Sequence, residues 1–500
     1  MPLPQAQASR NAWVMSTRRK ILIALLVAIV LIGAAVAYLL TPDKARVPLA
    51  DVSGTEPELL RPREESFPTV GIAEPVGWKA NEVPDAAQGL AVTRFADRLD
   101  HPRTMYVMPN GDVLVALTNR PPSKGPGGIE GLIMGLLFKK AGAGSPSANK
   151  IALLRDTDGD GRAEQRAILS HPALASPSGI AYNDGTLYVA NHNALLAFPY
   201  AEGSNTLTGT PKKLMDLPPG GNHWMRNVAL SPDGKHIYVA VGSASNIAER
   251  GLAEEQGRAA IWDYNLETGR QRQFAAGLRN PNGMAFSPWS GELWTVVNER
   301  DMLGSDLVPD YLTNVPVGAQ YGWPWVYWRT NFDERVDHPT PEGFNPDYIR
   351  IPEYALGAHT APLGLAFTGG GTTLGPRFAA GAVIARHGSW NREPKSGYDV
   401  VFVAFDARGK PTGQPVPMLT GFLAENGKTT RGRPTWVAFA KDGAMLVTDD
   451  TAGIVWRVTS PGARPASAIK RITGARLPPQ RELRGAGATF GEEFARQPTP

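Results

Sequence analysis

A hairpin pattern recurs six times between residues 101 and 450, and it constrains the fold of this 500-residue chain more than any other property. Each copy runs from a small or polar residue, usually followed by Pro, into a short apolar strand, a turn containing Gly, and a second apolar strand. The copies are His101-Pro-Arg-Thr-Met-Tyr-Val with Asn110-Gly111 and DVLVAL, Ser176-Pro-Ser-Gly-Ile-Ala-Tyr with Asp184-Gly185 and TLYVAN, and His223-Trp-Met-Arg-Asn-Val-Ala-Leu with Asp233-Gly234 and HIYVAV, which lacks the Pro. They continue as Asn280-Pro-Asn-Gly-Met-Ala-Phe with Ser290-Gly291 and ELWTVV, Ala361-Pro-Leu-Gly-Leu-Ala-Phe with Gly369-Gly370-Gly371, and Arg433-Pro-Thr-Trp-Val-Ala-Phe with Asp442-Gly443 and AMLVTD. Glycine supplies the positive φ that a tight hairpin turn needs. The chain between copies is long enough for two more strands and loops, so each copy is half of a four-stranded blade. The expected fold is therefore all-β: a six-bladed β-propeller over residues 90–460. A β-sandwich leaves the regular recurrence unexplained. The 54 Gly and 44 Pro suit so turn-rich an architecture.

An N-terminal transmembrane helix precedes the propeller. Residues 21–40 read ILIALLVAIVLIGAAVAYLL, without a charge and long enough to cross about 30 Å of hydrocarbon. Arg18, Arg19 and Lys20 stand immediately before it, so residues 1–20 are expected to be a cytoplasmic stub and the body periplasmic or extracellular. Ala35-Val36-Ala37 has the small-x-small pattern of a signal-peptide cleavage site, but the apolar run exceeds the usual 7–15 residues, which favours a retained single-pass anchor. Residues 41–89, rich in Pro, Glu and Ala, read as a linker that wraps onto the domain, and 461–500 as a polar C-terminal tail. All four basic residues of 1–40 lie in that leader, which has no acidic residue, so the rest carries 47 basic against 47 acidic groups. No basic patch remains to argue for nucleic acid. The absence of cysteine excludes disulfides, thiolate metal sites and a cysteine nucleophile.

Equivalent positions of a propeller's repeats share one face, so the residues that open each inner strand ring the central channel. Here the ring is His101, Ser176, His223, Arg279 with Asn280, His359 with Thr360, and Arg431 with Arg433. Histidines and arginines gathered at one mouth suit an anionic ligand and a proton transfer.

The segments GGNHWMRNVALSPDGKHIYVAVGSASN, GLRNPNGMAF, NVPVGAQYGWPW, RHGSWNR and TRGRPTWVAFAKDGAMLVTDD, in that order, resemble the sorbosone dehydrogenase and soluble glucose dehydrogenase family, six-bladed propellers that use pyrroloquinoline quinone (PQQ). The resemblance implies a sugar or aldehyde substrate oxidised by hydride transfer to PQQ, with electrons passed to a quinone or cytochrome. It implies His223 as general base and Arg279, Asn280, Arg431 and Arg433 as cofactor-binding. A basic residue of blade five is met by His387, with Arg392 and Lys395 close by. The family's acidic residue before the histidine is Asn222 here, and its first-blade glutamine has no clear counterpart, because an insert over 119–149 carries the apolar run GLIMGLLF at 131–138. The family's calcium next to PQQ points to the segment Asn298, Glu299, Arg300 and Asp301. The aromatics of 321–328 suit either a sugar-stacking wall or blade packing.

A separate motif, Asp156-Thr-Asp-Gly-Asp-Gly161, places Asp156, Asp158 and Asp160 at calcium-loop spacing, although position 12 is Ala167 and not the bidentate Glu of an EF-hand. Two other functions fit a propeller: a lactonase-type hydrolase with a carboxylate-held Ca²⁺ in the channel, and a non-catalytic binding module.

Overall fold

The computed structural model describes residues 16–39, 43–65, 71–122 and 144–472. Six antiparallel sheets follow one another as the blades of a propeller. Blade one comprises Pro102–Val107, Val113–Leu117, Lys150–Arg155 and Gln165–Ser170; blade two Gly179–Asn183, Thr186–Ala190, Ala194–Pro199 and Lys212–Asp216. Blade three has Val228–Leu230, His236–Val241, Ala260–Asn265 and Gln271–Ala276; blade four Asn280–Phe286, Leu293–Asn298, Pro309–Asn314 and Tyr354–Ala358. Blade five is Pro362–Phe367, Gly381–Arg386, Asp399–Phe405 and Pro411–Thr420. Blade six joins Pro434–Phe439, Met445–Asp449 and Ile454–Thr459 to Ala91–Ala96, an N-terminal strand whose Ala96 pairs with Val455 and so closes the ring.

The second strand of a blade is covered on both faces by neighbouring blades. It therefore reads as a continuous apolar run, as in VLVAL at Val113–Leu117, which is buried throughout. Between blades four and five, Trp294 packs edge-on against Phe367 and Phe405, with ring centroids 6.1 and 5.2 Å apart. The glycine that follows Pro-x in copies two, four and five answers to close approach at the channel. A Cβ on Gly283 would lie 2.5 Å from the Leu363 carbonyl oxygen, and one on Gly364 2.6 Å from Trp436 Cα.

Residues 43–65 and 71–90 wrap the propeller. Ser53–Gly54 pairs with the outer strand of blade four, Asp85–Ala86 with the outer strand of blade five, and Glu74–Pro75 with Thr429–Thr430. Upstream, Thr17–Leu39 is one helix, apolar over Thr17–Ala37 with mean hydropathy 2.8, long enough at about 1.5 Å per residue to span a bilayer. Of the tail, Ile469 and Ile472 pack against the cluster around Trp289. The apolar run 131–138 and residues 473–500 lie outside the described residues.

Candidate active site at the channel mouth

Inner strands begin, and second strands end, at the same end of every blade, as Pro102 opposite Leu117 and Asn280 opposite Asn298 show. The loops before the first strand and after the second thus share one face, the mouth, and two groups of polar side chains meet there.

The first group centres on His223, half-buried in the loop before blade three. Its Nδ1 lies 2.8 Å from the Ser243 carbonyl, which can only accept, so Nδ1 carries the proton and Nε2 is left with its lone pair. Burial, followed by the charge of Arg279, holds the imidazole pKa well below its ordinary value of 6.5. The loop is held from behind by Arg226, fully buried, whose guanidinium donates to the carbonyls of His223 (2.8 Å), Met225 (2.9 Å) and Pro218 (2.8 Å). Burial and the neighbouring Arg258 push the Arg226 pKa down to about 9, so it remains charged at neutral pH. Gly242 fits between His223 and Asn280: a Cβ there would come 2.6 Å from His223 Cβ and closer still to Asn280 Oδ1.

Arg279 stands beside this histidine with every N–H engaged. Nε donates to the Asn246 carbonyl (3.1 Å), Nη1 to the carbonyls of Glu299 (2.6 Å) and Asn298 (3.4 Å), and Nη2 to Asn246 Oδ1 (2.8 Å) and Asp301 Oδ2 (2.9 Å). A guanidinium has five donors, so none is left over for a ligand in this arrangement. Asp301 also faces His359 Nδ1 at 3.4 Å, while His359 Nε2 lies 3.0 Å from the Gly304 carbonyl. Burial opposes charge on both groups, but their mutual attraction and Arg279 outweigh it, lowering the Asp301 pKa and raising that of His359.

The second group joins blades one, five and six. Asp450 Oδ2 accepts from Arg103 Nη1 at 2.5 Å and lies 3.0 Å from His387 Nε2. Arg433 donates to the carbonyls of His387 (3.0 Å) and Gly388 (2.9 Å). Burial and then the charge of Arg433 push His387 down to about 4, whereas the pull of His387 and Arg103 outweighs burial at Asp450 and lowers its pKa. Arg103 reaches across to the His223 loop, with Nη2 3.0 Å from Met225 Sδ and its guanidinium carbon 5.6 Å from the Trp224 ring centre. The two groups are therefore one site.

His223, Asn280, His387 and Arg433 line this mouth, and Arg279 forms its wall. Arg431 turns outward, stacked 5.8 Å from the Trp78 ring centre and donating to the Gly421 carbonyl. The segment 298–301 presents little to a cation, because Arg279 takes the Asn298 and Glu299 carbonyls and Arg300 pairs with the Glu299 carboxylate at 3.0 Å. Tyr321, Trp323, Trp325, Tyr327 and Trp328 are all buried, which decides for packing over a sugar-stacking wall. At the opposite face, in the loop between the third and fourth strands of blade one, ligand atoms of Asp156, Asp158, Asp160 and Glu164 lie within 4.8 Å of one another.

Reasoning from strand-opening positions missed Arg103 and Asp450, and Asp301 entered only with the segment 298–301 considered for calcium. Arg103 stands two residues into its repeat, and the other two follow second strands; the pair Asp449-Asp450 directly after AMLVT was the available signal.

A family model described as TrAA12-like matches residues 140–316 and 344–461. The chain is 24% identical over 341 residues to a pyrroloquinoline quinone-dependent sugar dehydrogenase of Hypocrea jecorina, covering 58% of this chain and 75% of that protein. In fold it is similar to the family AA12 carbohydrate-active enzyme of Trichoderma reesei (TM-score 0.59, 21% identity, 75% and 97% of the two chains). It is also similar to the holo form of the pyranose dehydrogenase PQQ domain of Coprinopsis cinerea (TM-score 0.58, 19% identity, 78% and 100%).

Proposed function

Because the chain belongs to the TrAA12-like family of PQQ-dependent oxidoreductases, we propose that it is a membrane-anchored periplasmic dehydrogenase that oxidises a sorbosone- or glucose-like sugar, with His223 as general base. The observation that carries this reading is a neutral histidine with Nε2 left open in a mouth lined by guanidiniums. Arg103 and Arg279 pair with Asp450 and Asp301, and Arg433, whose backbone N–H rests on Asp449, donates to the carbonyls of His387 and Gly388.

The residues present fit a planar tricarboxylate. Arg103 Nε is a buried donor without a protein partner, so the site has donor capacity that its own side chains do not satisfy. Arg103 and Arg433 would hold carboxylates, and Asn280 and His387 would fix the ring edge. Arg431, turned toward Trp78, would complete the set by rotating inward. Arg279, with its donors committed, serves as a positioning residue that orients Asp301 and Asn246 and keeps His223 neutral. When bound, PQQ supplies the two-electron acceptor for the substrate hydride. The alcohol proton goes to His223 Nε2, because Nδ1 is locked on Ser243 and a neutral ring accepts at physiological pH. The proposed electron-accepting partner is a quinone or cytochrome.

Asp156, Asp158 and Asp160, joined by Glu164, are proposed as a calcium site that staples the blade-one loop, remote from the reaction. A lactonase needs carboxylates open to a channel metal, whereas Asp301 and Asp450 are each paired with an arginine and a histidine. The test is reconstitution of the purified protein with PQQ and Ca²⁺ and dye-linked oxidation of a sugar panel. Turnover that requires PQQ and is lost in His223→Ala supports the reading; no turnover with any sugar moves the function to the hydrolase or binding module.

A further inference from the structure

We propose that the mouth of the propeller is held face-down on the lipid bilayer. The proposal rests on residues 17–39 being a retained membrane span. Helix Thr17–Leu39 ends four residue steps before Asp43, and four extended steps reach at most about 14 Å. Asp43 is already docked on the mouth. Its Oδ2 accepts the Ser305 N–H at 2.7 Å, and its carbonyl accepts the Ser305 hydroxyl at 2.8 Å. The next turn of chain is fixed to the same loop, with Arg46 N–H on Asp306 Oδ2 at 2.7 Å. The chain then returns: Arg63 pairs with Asp43 at 2.7 Å, and its N–H donates to the Leu303 carbonyl at 3.0 Å.

The loop 301–306 follows the second strand of blade four, so it belongs to the mouth face, and its Gly304 carbonyl meets His359. The headgroup layer on one side of a bilayer is about 5–8 Å thick. A loop pinned within about 14 Å of the hydrocarbon edge is therefore at or just above the headgroups, and the face carrying it cannot point away from them.

One other feature of the same face suits lipid: Trp390, in the loop after the second strand of blade five, is 40% exposed, a residue type favoured at membrane interfaces. An orientation of this kind brings a lipid-dissolved electron acceptor to the mouth without a soluble shuttle.

The chain has no cysteine, so single labels report cleanly. Full-length protein is reconstituted in phosphatidylcholine vesicles containing nitroxide-headgroup lipid, with a fluorophore on Trp390→Cys, on Glu64→Cys, or on Lys441→Cys at the opposite-face turn of blade six. Quenching at least fivefold stronger at 390 and 64 than at 441 is expected, and a Gly/Ser spacer of about 30 residues inserted after Pro42 should abolish the contrast. Equal or reversed quenching in protein that floats with vesicles overturns the orientation alone. Protein that does not float overturns the retained span, and the orientation with it. Position 64 answers the question if the label at 390 prevents folding.

Discussion

The base proposed for the reaction, His223, would act through the nitrogen that its surroundings leave open. Ser243 holds Nδ1 and Gly242 keeps the ring beside Asn280, so His223→Gln is expected to lower kcat by about 10²–10⁴ with PQQ affinity unchanged. A parallel loss of cofactor binding would make the histidine a ligand and not a base. Because its pKa lies well below 6.5, the acid limb of the rate profile should also fall below pH 6.5. His387 has a consequence for stability. Its folded pKa, about 4, is below the unfolded value of 6.5, so the stability tied to its neutral form is complete above pH 6.5 and is lost as pH falls toward 4. The difference amounts to about 3 kcal/mol. Denaturant titrations should show that His387→Gln loses less stability than the parent between pH 6.5 and 4; equal losses would remove the assignment. The sequence could name these histidines but not their protonation, which depends on a carbonyl twenty residues away for His223 and on burial beside the Arg433 guanidinium for His387.

Among the elements, the hairpins were legible because each carries its own signal: apolar runs, a turn glycine and, in three copies, a glycine forced by the neighbouring inner strand. The loops that follow second strands were not. Nothing local in Asp301 or Asp450 distinguishes a mouth carboxylate from a turn residue, and their partners Arg279 and Arg103 come from other strands. The calcium-type loop differs from its motif for a structural reason. The fourth strand of blade one starts at Gln165, which brings Glu164, the ninth position, back onto the three aspartates. Added Ca²⁺ at 100 times its Kd should raise stability by about 2.7 kcal/mol, and Asp158→Asn should remove most of that gain. An undiminished gain in the variant would place the ion elsewhere. Gly242→Ala, in the loop that carries Ser243, should cost about 1–3 kcal/mol and also lower turnover, because the methyl displaces His223 or Asn280. A variant as stable and active as the parent would show that the loop yields.

As a whole, the molecule depends on closure: Ala91–Ala96 completes blade six, and the segment upstream fastens blades four and five and the connection leading into blade six before the chain reaches it. Deleting residues 43–90 should therefore lower Tm while the six sheets persist in circular dichroism, whereas deleting 91–96 opens the ring and should abolish cooperative unfolding. Six-fold architecture was written in the repeat, and so was the gathering of His223, Asn280 and Arg433 at the strand openings of one face. The hold of the wrap on the mouth was not, because it rests on backbone groups such as Ser305 N–H. The central claim is that this mouth binds PQQ through its guanidiniums, and calorimetric titration of PQQ into the purified full-length protein tests it most directly. Saturable one-to-one binding, weakened at least tenfold in Arg433→Ala, is the predicted result; no heat of binding, or an affinity indifferent to Arg433, would contradict it.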